Sequence, residues 1–319
     1  MLKELKFVQG AVAKKDFIPS LTHFEIKDGK IKGFNGKLAL CAPIPISFDI
    51  KPRAIPFVKA IQGCKNDTVQ LSITPTGRLS VKAGRNKFLV DCCEEDFPDV
   101  QPEGNWMSLE GINIIPAFKA LLDFTGEDAS RPWAMGIMLR DTFAYATNNI
   151  ILMEYDLGAT FPIPINVPKN AVAEVVRIGQ EPKGIMICES SVTFMYDEHL
   201  WVKTQLYETN WPDLNRVLDS TGADMQPISE EVFEAVRTVS PFVDELNRVI
   251  FKDGSVTTNT EGGAGGTVTL DDFSYEGVYN YKYFLSLEGL ITKIDLTKYP
   301  SPCVFEGENI RGALMGMRL

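Results

Sequence analysis

The chain has 319 residues, 45% of them hydrophobic, and can therefore bury one large core or two to three ordinary ones. Its formal net charge of −10 excludes a wholly basic nucleic-acid binder but not a locally basic face. No N-terminal signal pattern is present, and no apolar run approaches the roughly 18 residues of a membrane span. We therefore expect a soluble, cytoplasmic protein.

Residue types that support catalysis are scarce. The chain has two histidines, His23 and His199, and six cysteines, none of them in a CxxC pair. Two histidines provide few candidates for a general base or a zinc ligand. The cysteines are most simply free thiols in a reducing compartment. We expect no catalytic residues, no metal and no cofactor. An enzyme stays open as an alternative.

Six segments with helical periodicity recur along the chain, and their starts are 51 to 61 residues apart. Between them apolar and polar residues alternate, and the pairs Asp28-Gly29, Asn35-Gly36 and Asp253-Gly254 predict hairpin turns. Each half-unit is therefore one helix with about three or four strands, and two half-units form a domain. The predicted helices are 2–14, 53–64, 112–124, 167–179, 228–240 and 281–294.

One short motif occurs twice, as Phe97-Pro98-Asp99-Val100 and as Trp211-Pro212-Asp213-Leu214. Each copy follows two half-units, so we interpret it as the end of a domain. The aromatic side chain would enter the core, and proline would end strand pairing because it lacks an N–H donor. Three domains follow, at residues 1–104, 105–220 and 221–319.

Five sequence segments, in addition to the six regularly spaced helices, carry a resemblance to a known family. They are VKAGRNKFLVDCCEEDFPDV (81–100), FAYATNN (143–149), WPDLNRVL (211–218), YNYKYFLSLEGLI (279–291) and ALMGMRL (313–319). Together they resemble the bacterial β sliding clamp, the β subunit of DNA polymerase III. The resemblance covers the chain from its first helix to its last residue. It implies an α+β fold of three tandem DNA-clamp domains, each with two helices packed on antiparallel β-sheets, assembling into a closed ring.

The chain also departs from the family pattern. Met1 already abuts the first helix, so the first domain lacks the usual first strand. Gly316 stands where the family has proline, and Asn149 where it has glycine. The loops are shorter throughout, and this compactness suggests a phage or mobile-element version of the clamp.

The resemblance implies a DNA sliding clamp, a non-catalytic processivity factor that encircles double-stranded DNA and tethers the replicative DNA polymerase and the clamp loader. Packing arithmetic is compatible with this. Helices side by side lie about 10 Å apart, so twelve would form a circle about 38 Å across at their axes. Subtracting one helix width of about 10 Å leaves a hole of roughly 28 Å, wide enough for a duplex about 20 Å across. One chain supplies six helices, so we expect a homodimer.

A clamp needs a basic lining that contacts phosphates without reading sequence. The first helix carries lysines and Gly10 on the face opposite Leu5 and Val8, and the later helical segments each carry one or two cations. An ordinary solvated face is the alternative for any one of them. The candidate DNA-facing residues are Lys3, Lys6, Lys14, Lys15, Arg53, Lys59, Lys119, Lys169, Arg177, Arg237, Lys282 and Lys293.

Partner proteins of the family dock a short hydrophobic peptide between the second and third domains. The methionines of the C-terminus suit a surface that accepts several ligands, and a plain core-forming last strand is the alternative. The resemblance places the pocket at Thr147, Asn149, Leu152, Pro212, Arg216, Val217, Asn280, Tyr283, Met315, Met317, Arg318 and Leu319.

The resemblance also implies a head-to-tail dimer, in which the first domain of one chain meets the third domain of the other. Phe88 and Val90 match the family's interface hydrophobes, and Val239 and Phe242 are their expected partners. A repeat-built structural β-protein, such as a phage shell or tail component that does not encircle DNA, remains the alternative function. It would explain the β-content and the charge, but not the basic helices.

Overall fold

The computed structural model describes residues 1–64, 68–219, 223–258, 264–271 and 273–318. The chain divides into two compact units. Unit 1 comprises Met1–Ile115 and Val167–Tyr207, and unit 2 comprises Pro116–Asn166 and Glu208–Leu319. The expected boundary at residue 220 lies outside the described residues, and the division into three domains stays a prediction. No helix in the described ranges is long and apolar enough to cross a membrane.

All six predicted helices are present. Three of them continue into a turn of 3-10 helix, at Gln9–Ala11, Leu122–Phe124 and Ser240–Phe242. A short helix that was not predicted, α5, follows the second aromatic-Pro-Asp motif. The helices are α1 Leu2–Val8, α2 Ala54–Gly63, α3 Ile114–Leu121, α4 Lys169–Ile178, α5 Asn215–Leu218, α6 Glu230–Val239 and α7 Tyr281–Leu285.

The last helix is much shorter than predicted. It ends at Leu285, where Ser286 Oγ donates to the carbonyl of Tyr283 at 2.6 Å. Gly289 then adopts a left-handed conformation with φ 72°, which glycine accepts without steric cost. The chain enters a strand at Lys293–Ile294. The prediction of helix as far as residue 294 was therefore wrong, because the chain leaves the helix through turns around Gly289, a residue that disfavours helix interiors.

The strands are short and antiparallel. They are β1 Glu25–Lys27, β2 Lys30–Phe34, β3 Leu38–Pro43, β4 Gln70–Ile73, β5 Leu79–Ala83, β6 Asn86–Val90, β7 Asn105–Ser108, β8 Gly136–Arg140, β9 Phe143–Thr147, β10 Ile151–Asp156, β11 Ile165–Pro168, β12 Gly184–Ile187, β13 Ser191–Asp197, β14 Leu200–Gln205, β15 Gln226–Pro227, β16 Arg248–Lys252, β17 Ser255–Thr257, β18 Thr267–Thr269, β19 Gly277–Asn280, β20 Lys293–Ile294, β21 Cys303–Glu306 and β22 Ile310–Leu314.

The predicted hairpin turns form where the sequence placed them. Asp28-Gly29 joins β1 to β2 with φ angles of 51° and 69°, and Asp253-Gly254 joins β16 to β17 with 50° and 69°. Both central residues are left-handed, as a two-residue hairpin turn requires. At the turn between β2 and β3, the Asn35 side chain accepts from the backbone N–H of Lys37 and Leu38. Local chemistry is sufficient to make these turns.

Each of the six predicted helices is followed by a meander of three strands, and four of the six meanders join in pairs through their third strands. In unit 1, β3 pairs with β14, which gives a seven-stranded sheet in the order β1-β2-β3-β14-β13-β12-β7. In unit 2, β10 pairs with β22, which gives an eight-stranded sheet in the order β11-β8-β9-β10-β22-β21-β20-β15. Two smaller sheets, β4-β5-β6 and β18-β17-β16-β19, have no such partner meander in the described chain.

The outer edge of β4 is open in the described structure. The strands before α3 and α6, β7 and β15, cover the equivalent edges at β12 and β20. The core-facing Ile185 and Ile294 on these covered strands are buried. On β4, by contrast, Ile73 lies on the same face as the buried Leu79 and Val90 but is 49% exposed. The sheet β4-β5-β6 therefore ends on a strand with an uncovered apolar side chain.

The two aromatic-Pro-Asp motifs pack differently. Trp211 and Leu214 are both buried, in a cluster with Met138, Tyr145, Leu152 and Leu218, and the Trp211 ring lies 5.2 Å from that of Trp133. In the first motif Phe97 is only half-buried, at the wall of a cleft of about 980 Å³ in unit 1. Val100 instead packs against a cluster that contains Trp201. The expectation that the aromatic residue enters the core holds for the second motif and is wrong for the first.

Candidate functional site

The first helix presents the expected amphipathic surface. Lys3 and Lys6 are exposed, whereas Leu5 and Val8 are completely buried. Gly10 does not belong to an open face. A Cβ atom at Gly10 would lie 1.9 Å from a carboxylate oxygen of Glu174, so the end of this helical segment is in close contact with α4. Only glycine leaves room for that carboxylate.

Lys14 and Lys15 lie beyond the first helix. Helical structure ends at Ala11, and Val12 is extended with φ −122° and ψ 128°. Both lysines are exposed in the loop that follows. The interpretation that Lys14 continues the helical face was wrong, because the backbone leaves the helix before one further turn is complete.

The arginine of α4 is charge-compensated. Arg177 Nε donates to both carboxylate oxygens of Glu174 at 2.9 Å, and its Nη2 donates to the carbonyl of Phe7 at 2.9 Å. Hydrogen bonding to Glu174 raises the pKa of Arg177 above its usual value. Because Glu174 is buried, the pair holds α4 against α1 and offers little free positive charge. Lys169, the first residue of α4, is half-buried.

The second and third helices carry exposed cations, as expected. Arg53 immediately precedes α2 and Lys59 lies within it, both with exposed side chains. Lys119 is exposed in the last turn of α3. For these residues and for Lys3 and Lys6, the described structure records no ion pair with a carboxylate.

The helices of the last third are less basic than predicted. Arg237 on α6 forms an ion pair with Glu288, and Glu230, Glu231 and Glu234 are exposed on the same helix. Lys282 is exposed on α7, with its Nζ 5.9 Å from the Tyr281 ring centroid. The last candidate, Lys293, lies on strand β20 and not on a helix. The cationic character therefore rests mainly on α1, α2 and α3.

The C-terminal tail, which we define as Met315–Arg318, is not part of a strand. Strand β22 ends at Leu314. The Met315 N–H donates to the carbonyl of Ile150 at 2.8 Å, and the Met317 N–H donates to the carbonyl of Val278 at 2.7 Å. Met315 is 44% exposed. The alternative, a core-forming last strand, does not extend to this tail, because its described residues lie beyond β22; Leu319 lies outside the described residues.

One flank of the tail is the turn between β9 and β10. Thr147 is buried, and its Oγ1 donates to the carbonyl of Ile151 at 2.8 Å and accepts from the Asn149 N–H at 3.1 Å. The Asn148 side chain accepts from the N–H groups of Ile150 and Ile151. Asn149 has φ 71°, a left-handed conformation that favours glycine and that asparagine tolerates best among other residues. This explains how asparagine can stand where the resembling family has glycine.

The apolar part of the candidate pocket lies beside this turn. Leu152 is buried in the cluster around Trp211, and the half-buried Val217 packs against that cluster. Pro212 and Arg216 are exposed next to it in sequence. Two of the predicted residues, Leu152 and Val217, therefore belong to or pack against one apolar cluster of unit 2.

The other flank of the tail is the start of α7. Asn280 caps this helix, with its Oδ1 accepting from the Lys282 N–H at 3.0 Å. Tyr283 is half-buried one turn further on. Strand β19, which carries the tail's partner Val278, leads directly into α7. The tail is thus hydrogen-bonded near both groups of predicted residues, and the described part of the pocket lies within unit 2.

Two further contacts were not predicted. The Tyr299 hydroxyl donates to the carbonyl of Met317 at 2.7 Å. Across the β10–β22 junction, Arg311 is hydrogen-bonded to the buried Glu154 and also to Asp219 at 3.1 Å. Neither residue belongs to a recognisable motif, so only the folded structure reveals them.

The candidate interface hydrophobes divide into buried and exposed residues. Val90 and Val239 are 2% and 1% exposed, so each is already buried in its own unit and has almost no area to offer a second chain. Phe88 is half-buried, and Phe242 is 57% exposed. Leu89, which the sequence analysis passed over, is 52% exposed on β6. The alternation of side chains along a strand turns Val90 inward and Leu89 outward.

No group of three metal-ligating side chains lies close enough together to hold an ion among the residues that the structure describes.

The left-handed conformation of Asn149 gives a test of the pocket turn. Asn149→Ala is expected to lower the free energy of unfolding by about 1 kcal/mol, since alanine is strained there, whereas Asn149→Gly should be nearly neutral. Urea unfolding of the two variants measures the difference. Equal effects would contradict the assigned turn.

Known protein structures resemble the whole chain. The DnaN sliding clamp of Pseudomonas aeruginosa (DNA polymerase III subunit β), bound to griselimycin, superposes with a TM-score of 0.84 at 20% identity. That of Bartonella birtlesii, also bound to griselimycin, gives 0.85 at 18%, and the β subunit of DNA polymerase from Streptococcus pyogenes gives 0.84 at 17%. Each comparison covers 100% of this chain and 97% of the other.

Sequence comparisons alone find nothing. No protein-family model matches the chain, and no curated protein matches it. The likeness to the solved clamps is therefore one of fold, at low sequence identity. The chain has the fold of a bacterial β sliding clamp.

Proposed function

We propose that this chain is a DNA sliding clamp, a non-catalytic processivity factor that acts in the cytoplasm. Two copies form a closed ring around double-stranded DNA and tether the replicative polymerase and the clamp loader. Each chain contributes three clamp domains, at residues 1–104, 105–220 and 221–319, and each domain contributes two of the six helices that the sequence predicted. Similarity to sliding-clamp structures over the whole chain supports this proposal.

The observation that carries the proposal is the pattern of strand pairing. Inside the chain, meanders join through their third strands, β3 with β14 and β10 with β22. Among the described residues, the same rule leaves two third strands without a partner meander, β6 in unit 1 and β18 in unit 2. Open strand edges tend to pair. Pairing β6 of one chain with β18 of a second gives both strands a partner and produces a head-to-tail dimer.

Exposed apolar side chains lie beside both of these strands. Leu89 is exposed and Phe88 half-buried on β6. Near β18, a Cβ atom at Gly266 would lie 3.1 Å from the Phe242 ring, so exposed Phe242 is adjacent to the second edge. An interface of this kind buries on the order of 800 Å² per partner. The proposed contact therefore uses Phe88, Leu89 and Phe242, with Val90 and Val239 supporting it from within.

Phe88→Asp is expected to convert the dimer of about 71 kDa, twice the chain mass of 35.5 kDa, into monomers of 35.5 kDa. The added carboxylate would have to be buried in an apolar contact without a partner, which is strongly unfavourable. Sedimentation equilibrium measures the masses.

The matched control is Ile73→Asp, which puts the same charge on the other outer strand, β4, of the same three-stranded sheet. This variant should remain dimeric. If Phe88→Asp also stays dimeric, or if both variants dissociate equally, β6 is not the interface strand.

The lysines of the helices would provide the DNA contacts. Lys3 and Lys6 on α1, Lys59 on α2 and Lys119 on α3 are exposed. Contacts of this kind neutralise phosphates without reading bases, so the protein can slide. The ion pairs at Arg177 and Arg237 keep the total positive charge low. Retention on DNA would then depend on topology more than on affinity.

Encirclement can be tested with closed and cut DNA. Affinity for a short linear duplex should be weak and strongly reduced by salt, because few Lys–phosphate contacts are available. After loading onto a closed circular duplex, the ring should survive a high-salt wash and dissociate once a restriction enzyme linearises the circle. Equal retention on closed and linear DNA would rule out encirclement.

The tail and its two flanks form the proposed partner surface. A hydrophobic peptide of the polymerase or clamp loader would lie across Leu152 and Val217 on one side and Tyr283 on the other, with Met315 and Met317 between them. Methionine side chains adapt to different ligands. The DnaN clamps of P. aeruginosa and B. birtlesii bind griselimycin, and we propose that this chain binds it on the same tail surface.

The double variant Met317→Ala with Tyr283→Ala should bind both griselimycin and a polymerase-derived peptide at least tenfold more weakly. Truncating each side chain of a small apolar site typically costs about 1–3 kcal/mol of binding free energy. Isothermal titration gives the affinities. Sedimentation of the same variant should still report the dimer, and unchanged affinity in an intact dimer would remove the tail surface from the proposal.

A further inference from the structure

We infer that Tyr299 is a positioning residue for the partner surface: it holds the tail Met315–Arg318 in the conformation that ligands recognise. The inference rests on the proposed function of the tail surface and adds a residue that the family resemblance did not supply. Tyr299 lies in the segment between β20 and β21 and is half-buried.

The tail has few backbone contacts to hold it. Because it follows the end of β22, it lacks the regular ladder of a strand. At Met317 the backbone is fixed from two directions: its N–H donates to the carbonyl of Val278 at 2.7 Å, and its carbonyl accepts from the Tyr299 hydroxyl at 2.7 Å. Both distances are those of well-formed hydrogen bonds. The hydroxyl therefore provides one of the two bonds that orient this residue.

The Tyr299 ring supports the tail at the preceding residue. A Cβ atom at Gly316 would lie 2.9 Å and 3.1 Å from two carbons of the ring and 3.3 Å from the carbonyl of Pro300. The ring thus packs against the bare backbone of Gly316. Its other neighbour is the buried Tyr279 of β19, at 6.2 Å between ring centroids in an edge-to-face arrangement. Through this contact the ring is anchored to the core of unit 2.

These contacts connect the two methionines of the tail to a fixed backbone. Met315 is exposed and Met317 is half-buried, so their side chains can reach a ligand only where the backbone directs them. A tail ordered before binding loses less conformational entropy when the ligand arrives. Removing the hydroxyl should therefore weaken binding without removing any group that touches the ligand.

The test compares Tyr299→Phe with the wild-type dimer. The variant keeps the ring and loses the hydroxyl, so griselimycin and polymerase-peptide affinity should fall about 2- to 10-fold, the range for one net hydrogen bond. Ser255→Ala is the matched control, because it also removes a hydroxyl that donates to a backbone carbonyl in unit 2, that of Lys252 at 2.7 Å. The control should bind as the wild type does.

A second readout does not depend on the ligand. In methyl NMR spectra of the free dimer, the Met315 and Met317 resonances of Tyr299→Phe should move towards those of an unfolded chain, while the other methionines stay in place. A general loss of stability would not produce so local a change. Binding and resonances that both match the wild type would overturn the inference.

Gly316→Ala provides a double-mutant test of the ring. In the wild type the added methyl should displace the Tyr299 ring and weaken griselimycin binding, whereas in Tyr299→Ala it should cost little more, because the ring it meets is gone. Additive effects would contradict the assigned packing. If the wild type binds neither probe, the proposed tail surface fails, and the methionine resonances still decide whether Tyr299 holds the tail.

Discussion

The architecture depends on the pairing of strand edges. Every meander ends on a third strand whose outer N–H and C=O groups need partners, and an unpaired edge invites association with another chain. The pairings β3–β14 and β10–β22 satisfy this need within the chain. Among these third strands, β6 and β18 remain without a partner meander in the described structure. The proposed ring follows from these two strands, because pairing β6 of one chain with β18 of another gives both strands a partner.

The same junctions also bring together residues for the proposed partner surface. In the β10–β22 pairing, Leu152 lies opposite Ala313, and Ile151 lies opposite Leu314, the last residue before the tail. Two residues away from the Leu152–Ala313 pair on both strands, Arg311 lies opposite the buried Glu154 and forms an ion pair with it. A cross-strand ion pair of this kind is strongly destabilising to break on one side only, because a buried charge is left alone. Strand pairing therefore sets the start of the tail against the apolar cluster beside it.

Some of the helical arginines are neutralised by nearby carboxylates. Arg177 forms an ion pair with Glu174, and Arg237 forms one with Glu288. These two arginines therefore offer little free positive charge. Exposed lysines on α1, α2 and α3 remain. The proposed clamp would benefit from such an arrangement, because strong phosphate binding would oppose sliding.

The sequence by itself determined the repeating units. Helix periodicity and turn pairs such as Asp28-Gly29 depend on neighbouring residues, so the positions of all six helices and of the hairpins could be predicted, but not where the first and last helices end. Sequence also indicated Trp211 as a core residue and related the last residues to a clamp. Tertiary structure decided the rest. The register of its strand decides whether the Val90 side chain points into the core. The free charge of Arg177 depends on Glu174, which lies against the first helical segment. The tail is held by Tyr299, which belongs to another segment of the chain. Such contacts join residues far apart in the chain, and no local pattern encodes which of them will meet.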